Sequence, residues 1–254
     1  MNRSSIIAIQ LLIVVSFLAL WEIGARTGLI NPEWFSPPAE VSVRMVRELA
    51  QGHLWVHVWA TTVETMVGFF FGVIGGVAFG ILLGMTPRLC QILMPYLLAI
   101  YGIPRPALAP IFVLWFGIGL FSKVVLIISL VYFLLLIYVL VGIRAINPLL
   151  LRFVRTTGAS RTQIITKIVI PSVMPYIFAG MKLGIGLAVV GAVVGEIIAS
   201  RVGLGHYVYQ AAQRADSEGV YVGLAALGVM SVFLVLGMEQ LDRRLFHWRQ
   251  DVKI

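Results

Sequence analysis

Residues Thr61–Met85 read TTVETMVGFFFGVIGGVAFGILLGM, an apolar run of 25 residues whose single charged side chain is Glu64. A helix that crosses the hydrocarbon core of a bilayer needs about 20 mostly apolar residues. Backbone amide and carbonyl groups find no water there, so they must bond to each other, and a helix satisfies them within one segment. The run therefore predicts a transmembrane helix.

Similar apolar runs occur at five other places in the chain, at about Ile6–Ala25, Leu93–Phe116, Lys123–Ile143, Ile177–Ala199 and Gly219–Gln240. The first could be a signal peptide, but no small-x-small cleavage site follows it, which favours an uncleaved first span. The sequence thus predicts an all-α, polytopic membrane protein with about six transmembrane helices. We expect these helices to form a single transmembrane domain over residues 1–254.

The composition excludes an ordinary soluble domain. Of the 254 residues, 60% are hydrophobic and 12% are charged, whereas soluble domains hold about 45–50% apolar and about 25% charged residues. The net charge of +8 is compatible with nucleic-acid binding or with the basic cytoplasmic loops of membrane proteins. The second interpretation is favoured because the basic residues lie in connections between apolar runs, so no nucleic-acid partner is expected.

The distribution of basic residues predicts the orientation of the chain. With the N-terminus inside, 12 of the 19 Lys and Arg residues, including Arg249 and Lys253, fall in inner segments and 6 in outer segments; Arg105 is left out because it lies within a span. Cytoplasmic segments carry such an excess. Both termini are therefore predicted to be cytoplasmic.

Two connections between the spans are long enough to hold structure of their own. In the outer connection, Thr27–Ala60, the pair Pro37-Pro38 predicts the start of a helix over Ala39–Leu49, whose mixed apolar and charged residues suit the membrane surface. The inner connection, Arg144–Tyr176, is basic and lacks a spanning apolar run. It is predicted to form one or two short cytoplasmic helices.

The second span carries a glycine at every fourth position, which places these residues on one stripe of the helix. They are Gly68, Gly72, Gly76, Gly80 and Gly84. Small residues at this spacing let another helix approach closely, and close packing drives helix association in lipid. The fifth span repeats the pattern in the pairs Gly180/Gly184 and Gly191/Gly195. These stripes predict a tight helix bundle and are compatible with dimerisation.

The third span contains Pro104, Arg105, Pro106 and Pro110. Proline removes a backbone hydrogen bond, and an arginine at membrane depth is costly unless it is paired or hydrated. Irregular backbone of this kind is tolerated where it lines a cavity or is buried in protein. We interpret the segment as lining a transport pathway; the alternative is a simple kink with Arg105 reaching to the membrane interface.

Motifs for catalysis and nucleotide binding do not occur in the sequence. No lysine follows a glycine, which excludes a Walker A loop, and there is neither a His-Glu-x-x-His nor a Gly-x-Ser-x-Gly motif. His53 and His57 could share a helix face, but no carboxylate lies nearby at ligand spacing, and the single Cys90 cannot form a Cys-rich metal site. We therefore predict no enzyme active site, no metal and no cofactor bound by this chain.

One segment of the inner connection carries a recognisable spacing. Gly158 is followed ten residues later by Ile168, and then by Ile170 and Pro171. This spacing is similar to that of the EAA loop in permeases of binding-protein-dependent ABC importers. The residues at 155–161, RTTGASR, resemble the nitrate/sulfonate/taurine branch of that family.

Two other stretches agree with the same branch. The residues WFGIG at 115–119 follow the prolines of the third span, and Gly195-Glu196 near the end of the fifth span is followed by GLG at 203–205. The resemblance runs from about Phe35 to the sixth span. It implies the type I ABC importer permease fold and a location in the bacterial cytoplasmic (inner) membrane.

The resemblance also implies a short cytoplasmic coupling helix that docks on a separate ATP-binding subunit. The residues carried over to this contact are Arg152, Arg155, Thr156, Gly158, Ala159, Ser160, Gln163, Ile168 and Pro171. The family's glutamate position is Arg152 here, and its two alanines are Phe153 and Val154. The partner would accordingly present an acid at this place, or the contact would be absent.

The mechanism implied by the resemblance is alternating access. Two permease copies, expected to be identical, would enclose the pathway, separate subunits would bind ATP and Mg²⁺, and an extracytoplasmic binding protein would deliver the solute. The residues predicted to line the pathway are Tyr101, Arg105, Phe112, Trp115 and Glu196. Glu196 is equally well interpreted as a structural acid at the membrane edge. An arginine in the pathway suits a small anionic solute, such as a sulfonate, taurine or nitrate.

Two other classes of protein remain as alternatives. An ATP-independent secondary transporter would be expected to show internal repeats and intramembrane acid or amine relays, and the sequence shows no convincing repeat. A non-transporting membrane scaffold would need neither the EAA-like loop nor the prolines of the third span. Dependence on a partner ATPase separates the importer from both.

Overall fold

The computed structural model describes residues 3–31 and 33–245, with their side chains except those of Arg3, Ser4, Arg155 and Leu245. Arg249 and Lys253, which were counted for the orientation, lie outside the described residues. The helices, in chain order, are α1 (Arg3–Arg26), α2 (Pro38–Ala50), α3 (His53–Met85), α4 (Pro87–Tyr101), α5 (Ala109–Phe116), α6 (Leu120–Arg144), α7 (Pro148–Thr156), α8 (Arg161–Ile164), α9 (Ile170–Ala199), α10 (Leu204–Gln213) and α11 (Ser217–Leu245). A 3₁₀ turn, Arg105–Leu108, precedes α5, and a π-helical turn, Ile165–Val169, precedes α9.

The prediction of an all-α polytopic membrane protein is confirmed. Within the described residues, five helical segments are long and apolar enough to cross a membrane: α1, α3, α6, α11 and the rod Arg161–Ala199 that contains α9. The bent pair formed by α4 and the segment Arg105–Phe116 adds a sixth if it counts as one span. The described part of the chain contains helices and no strand.

Two of the long helices begin seven or more residues earlier than predicted. α3 begins at His53 instead of Thr61, because residues 53–60, HLWVHVWA, hold no proline or glycine after Gly52. α9 begins at Ile170 instead of Ile177. Pro171 comes two residues after the end of the π-helical turn Ile165–Val169, and the helix continues through Pro175.

The third span, predicted as one run over Leu93–Phe116, is broken. α4 ends at Tyr101, and the axis turns by 80° before the segment Arg105–Phe116. Pro104 has no amide hydrogen, and Gly102 supplies no side chain to pack, so the helical ladder stops between them. The irregular backbone that the prolines indicate is therefore present, at residues 102–104.

By its internal contacts the chain divides into two compact units. Unit 1 comprises Met1–Ala60 and Val202–Val229, and unit 2 comprises Thr61–Arg201 and Met230–Ile254. A single transmembrane domain over the whole chain stays a prediction.

The core of unit 2 lies where α6 packs along α9. Ile127, Val131 and Leu135, on one face of α6, are fully buried, as are Ala188 and Ala192 of α9. The small side chains of α9 allow the branched side chains of α6 to interdigitate with it at close range. This pair of helices forms the centre against which the other elements of the unit pack.

The glycine stripe of α3 faces α6 of the same chain. A Cβ atom added to Gly76 would stand 2.5 Å from the carbonyl oxygen of Tyr132, and one added to Gly72 would stand 2.7 Å from Cβ of Val131. Gly68, Gly80 and Gly84 meet α6 in the same way, at Ile127, Val139 and Ile143. The stripe is thus occupied by packing within the chain.

In unit 1, the helix predicted over Ala39–Leu49 is present as α2, with Pro38 as its first residue. Arg44 of this helix donates hydrogen bonds to both carboxylate oxygens of Asp216, at 2.7 and 2.6 Å, and to Oε1 of Glu48 at 2.9 Å. Glu48 also accepts a 2.7 Å bond from the Tyr207 hydroxyl. The bonds from Arg44 lower the pKa of Asp216, and burial raises the pKa of Tyr207.

Candidate functional site

The inner connection folds into two short helices, α7 and α8, and α8 leads through the π-helical turn into α9. Ser160 begins α8 as its N-cap. Its Oγ accepts from the Gln163 amide at 3.2 Å, and Oε1 of Gln163 accepts from the Ser160 amide at 2.8 Å. This reciprocal pair satisfies two amides that a helix start leaves without partners. The short helices predicted here are present, and their cytoplasmic location stays a prediction.

Gly158 lies in the turn between α7 and α8 with φ of 77°. Residues with a Cβ rarely adopt this left-handed conformation, because Cβ approaches the following carbonyl oxygen. A Cβ at this position would meet no atom within 4 Å. Within this chain, the backbone conformation therefore explains the glycine, and close packing does not.

One face of the loop is fixed to the core of unit 2. Ile164 at the end of α8 and Val169 at the end of the π-helical turn are buried. Leu151, Val154 and Ala159 are partly buried against the same core cluster. The position of the loop is thus set by apolar anchors on three successive elements.

The other face of α7 is apolar and exposed. Leu149 and Phe153 are four residues apart, so they lie on the same side of the helix, and they are 69% and 67% exposed. The sequence analysis did not select either as a contact residue. The sequence did indicate an exposed apolar face, because α7 carries more apolar residues than one helix face can bury.

The predicted coupling residues do not share one environment. Exposed residues are Arg152, Thr156, Gly158, Ser160, Gln163 and Pro171; half-buried residues are Ala159 and Ile168. The side chain of Arg155 lies outside the described part of the structure. The set therefore mixes surface positions with positions that anchor the loop.

Arg105, predicted to line the pathway, is buried at the bend between α4 and α5. Its Nη1 donates to the carbonyl of Tyr101 at 2.8 Å and its Nη2 to that of Ile100 at 3.3 Å. These carbonyls lie in the last turn of α4, where a helix leaves carbonyls without an i+4 amide; the Ile100 carbonyl also accepts from the Ile103 amide at 3.2 Å. The guanidinium also lies over the rings of Tyr101 and Phe133, with 4.9 and 4.6 Å to the centroids. The Arg105 side chain thus caps the C-terminus of α4.

The other predicted pathway residues lie in different surroundings. Phe112 and Trp115 contact each other, with ring centroids 6.1 Å apart, and Trp115 is 70% exposed. Glu196, near the end of α9, is fully buried and accepts a 2.7 Å hydrogen bond from Thr61. The contacts of Glu196 within unit 2 agree with the structural alternative, and its place in a pathway stays a prediction.

The sequence analysis missed an ion pair in the same region. Lys123, in the first turn of α6, pairs with Glu64 of α3, and both side chains are almost fully buried. Their separation of 59 positions in the sequence concealed the pairing. A signal did exist, because a lone acid and a lone base inside predicted spans must each find a partner. Among the described residues, no group of three or more His, Cys, Asp or Glu side chains could hold a metal ion.

The long apolar helices and the broken third span define a polytopic membrane protein. Residues 76–247 match the family described as "Binding-protein-dependent transport system inner membrane component". The chain belongs to this family, as the loop resemblance predicted. It is an inner-membrane permease of the ABC importer class, which serves small solutes.

Relatives and a solved structure agree with this assignment. The taurine transport system permease protein TauC of Escherichia coli K12 is 30% identical, covering 93% of this chain and 88% of that protein. The riboflavin transport system permease protein RibX of Chloroflexus aurantiacus is 35% identical, covering 91% and 86%. A putative aliphatic sulfonates transport permease protein, SsuC of Bacillus subtilis, is 28% identical, covering 95% and 87%.

The fold is similar to a chain of the MetNI methionine ABC transporter in an inward-facing conformation. The TM-score is 0.68 with 22% sequence identity, and the match covers 75% of this chain and 95% of that one. The type I ABC importer permease fold implied by the resemblance is thereby confirmed.

Proposed function

We propose that this chain is the membrane-spanning subunit of an ATP-driven importer that moves a small anionic solute into the cytoplasm by alternating access. Two copies would form the pathway, ATP and Mg²⁺ would bind to separate subunits, and an extracytoplasmic binding protein would deliver the solute. Both termini and the loop formed by α7 and α8 would face the cytoplasm.

The observation that carries the proposal is the two-faced character of α7. Leu151 and Val154 hold the helix against the core, while Leu149 and Phe153 expose large apolar side chains. Exposed apolar groups on a fixed element are typical of a surface that another protein covers. The ATP-binding subunit would cover it, and Arg152, exposed beside Phe153, would meet an acid of that subunit.

The connection from this surface to the spans supports coupling. α8, the π-helical turn and α9 form one helical rod of 39 residues, Arg161–Ala199. A displacement of the loop would therefore move α9 directly. ATP would shift the balance between inward and outward states through the different affinities of the ATP-binding subunits for the two states.

The anionic solute is proposed from the names of relatives, since taurine and aliphatic sulfonates are both sulfonates. Arg105 contributes little to this argument, because its guanidinium is bonded to the backbone at the end of α4. The substrate preference therefore has to be measured by uptake.

The test is purification of the tagged chain from its native membrane, followed by mass spectrometry of the proteins that accompany it. We expect an ATP-binding subunit at close to equal stoichiometry, and its loss in F153S and L149S. The matched control is L29S, which also replaces an exposed leucine (81% exposed) but lies in unit 1. Recovery of the chain alone, with solute uptake in vesicles that lack ATP, would contradict the proposal.

A further inference from the structure

A cavity of about 680 Å³ opens in unit 2 beside the loop formed by α7 and α8. Two segments that are far apart in the sequence line it. Met85, Pro87 and Arg88 come from the turn between α3 and α4, and Arg161 and Ile164 come from α8. The volume lies within the range of about 300–1,000 Å³ that ligand pockets have in proteins. The cavity is therefore large enough for a small molecule or for the headgroup of a lipid.

The cavity is basic. Among the described residues that line it, the charged ones are Arg88 and Arg161, and none is acidic. Both arginines are exposed, and neither takes part in an ion pair with a described acid. A guanidinium group binds phosphate through two parallel hydrogen bonds. Two such groups at one cavity favour an anion, and a phosphate in particular.

The cavity lies at the level where two apolar spans end. α3 ends at Met85, and Gly84 in its last turn packs against Ile143, the last residue but one of α6. The exposed arginines Arg88 and Arg144 follow directly after these contacts. Arginine side chains that flank a span extend to the level of the lipid headgroups. The cavity therefore opens at the membrane surface.

The first half of the broken span continues from the cavity towards the hydrocarbon. α4 begins at Pro87, and its residues Arg88, Ile92 and Tyr96 follow each other at intervals of four, so they lie on one face of the helix. Ile92 and Tyr96 are 64% and 67% exposed. The arginine thus stands at the headgroup level, and an apolar face lies one and two helical turns deeper.

We propose that this cavity binds the phosphate group of an anionic phospholipid, with Arg88 and Arg161 as its ligands and the exposed face of α4 against the acyl chains. Basic pockets between transmembrane helices at the membrane surface bind anionic headgroups in this way. A free phosphate ion would use only the two arginines, and the apolar wall formed by Met85 and Pro87 would have no partner. The lipid is favoured because it matches both parts.

A lipid held by both arginines joins the turn between α3 and α4 to the first residue of α8. The lipid would thus stabilise the position of the loop formed by α7 and α8. The site requires only that the end of α3 lies at a membrane surface. It is therefore independent of the proposed transport function, and failure of either leaves the other standing.

Thermal unfolding of the purified full chain in a neutral detergent tests the site. The added lipids are dioleoylphosphatidylglycerol, which is anionic, and dioleoylphosphatidylcholine, which is zwitterionic. We expect the anionic lipid to raise the melting temperature of the wild type more than the zwitterionic lipid does. The lipid concentration at half of this shift should rise about fivefold in R88Q and in R161Q, and further in the double variant. Each variant is compared with and without lipid, so that a change in its basal stability does not enter the result.

The matched control is R144Q. It removes an exposed arginine at the end of α6, on the same membrane level, that does not line the cavity. We expect the half-shift concentration of R144Q to equal that of the wild type. An equal rise in R144Q and R88Q would overturn the proposal, because general attraction between the basic chain and the lipid would then explain the shift.

Three other results would also overturn the proposal. One is an unchanged half-shift concentration in the double variant of Arg88 and Arg161. Another is an equal shift with dioleoylphosphatidylcholine or with sodium phosphate alone, since an anionic lipid would then not be required. The third is loss of the lipid shift when an ATP-binding subunit is co-purified with the chain, because that subunit would then occupy the cavity.

Discussion

The substitution Gly76→Ala tests how closely α3 and α6 are packed. The new methyl group would meet the carbonyl oxygen of Tyr132 at 2.5 Å and Cβ of Leu135 at 2.8 Å. Neither atom is the end of a flexible side chain, so the helices must separate. Overpacking of this kind costs about 1–3 kcal/mol, while alanine gains about 1 kcal/mol over glycine in helix propensity. We therefore expect G76A to be less stable than the wild type by about 0–2 kcal/mol.

The matched control is Gly186→Ala. Gly186 lies inside α9 of the same unit, and an added Cβ would meet no atom within 4 Å. This variant gains the propensity term without the clash, so the two variants should differ by about 1–3 kcal/mol. The assay is thermal unfolding of the detergent-purified chain, followed by size-exclusion chromatography with fluorescence detection. A G76A protein that melts at or above the temperature of G186A would refute the reasoning.

Three further predictions follow from the contacts described. R105Q should lower the melting temperature, because the carbonyl of Tyr101 at the end of α4 loses the buried arginine donor, at a cost of about 1–3 kcal/mol. An altered preference for anions with unchanged melting would instead place Arg105 in the pathway. G158N should stay close to the wild type in thermal stability and in recovery of the ATP-binding subunit, whereas G158V should fall below the wild type in both measurements. The reason is that asparagine tolerates the φ of 77° at this position better than a β-branched residue does. Equal behaviour of the two variants would contradict this reasoning. Because Arg44 lowers the pKa of Asp216, the ion pair contributes stability at neutral pH, and this stability is lost as the pH falls through the pKa of Asp216 in the folded state, below about 3.9. Melting curves recorded at decreasing pH should therefore show a smaller fall in melting temperature for D216N than for the wild type. Equal falls in melting temperature would contradict the assignment.

The spans were predictable because the signal is local. An apolar run long enough to cross a bilayer has to form a helix to satisfy its backbone hydrogen bonds. The helices from Thr61 and Lys123 onward could therefore be recognised without knowing which helices lie beside them. The ends were less predictable. His53–Ala60 continues α3 because nothing interrupts it, and the length that a bilayer needs does not limit how far a helix extends.

Features that depend on which helices meet could not be read from the sequence. The ion pair between Glu64 and Lys123 joins residues 59 positions apart, and its recognition requires the packing of α3 on α6. α10, Leu204–Gln213, was missed, because its ten residues are too few for a predicted span and GLG at 203–205 was used only for the family resemblance. The loop of α7 and α8 was predicted from its motif, but the exposure of Leu149 and Phe153 depends on which side of α7 the core covers.

The close fit of α3 on α6 has a mechanical consequence. A helix slides past its neighbour when the side chains between them can change rotamers, and at Gly72 and Gly76 the bulk of the neighbour reaches the backbone of α3. Interlocked surfaces of this kind resist shear. The two helices should therefore move together as one rigid unit, and relative motion within unit 2 should occur at other, less closely packed contacts.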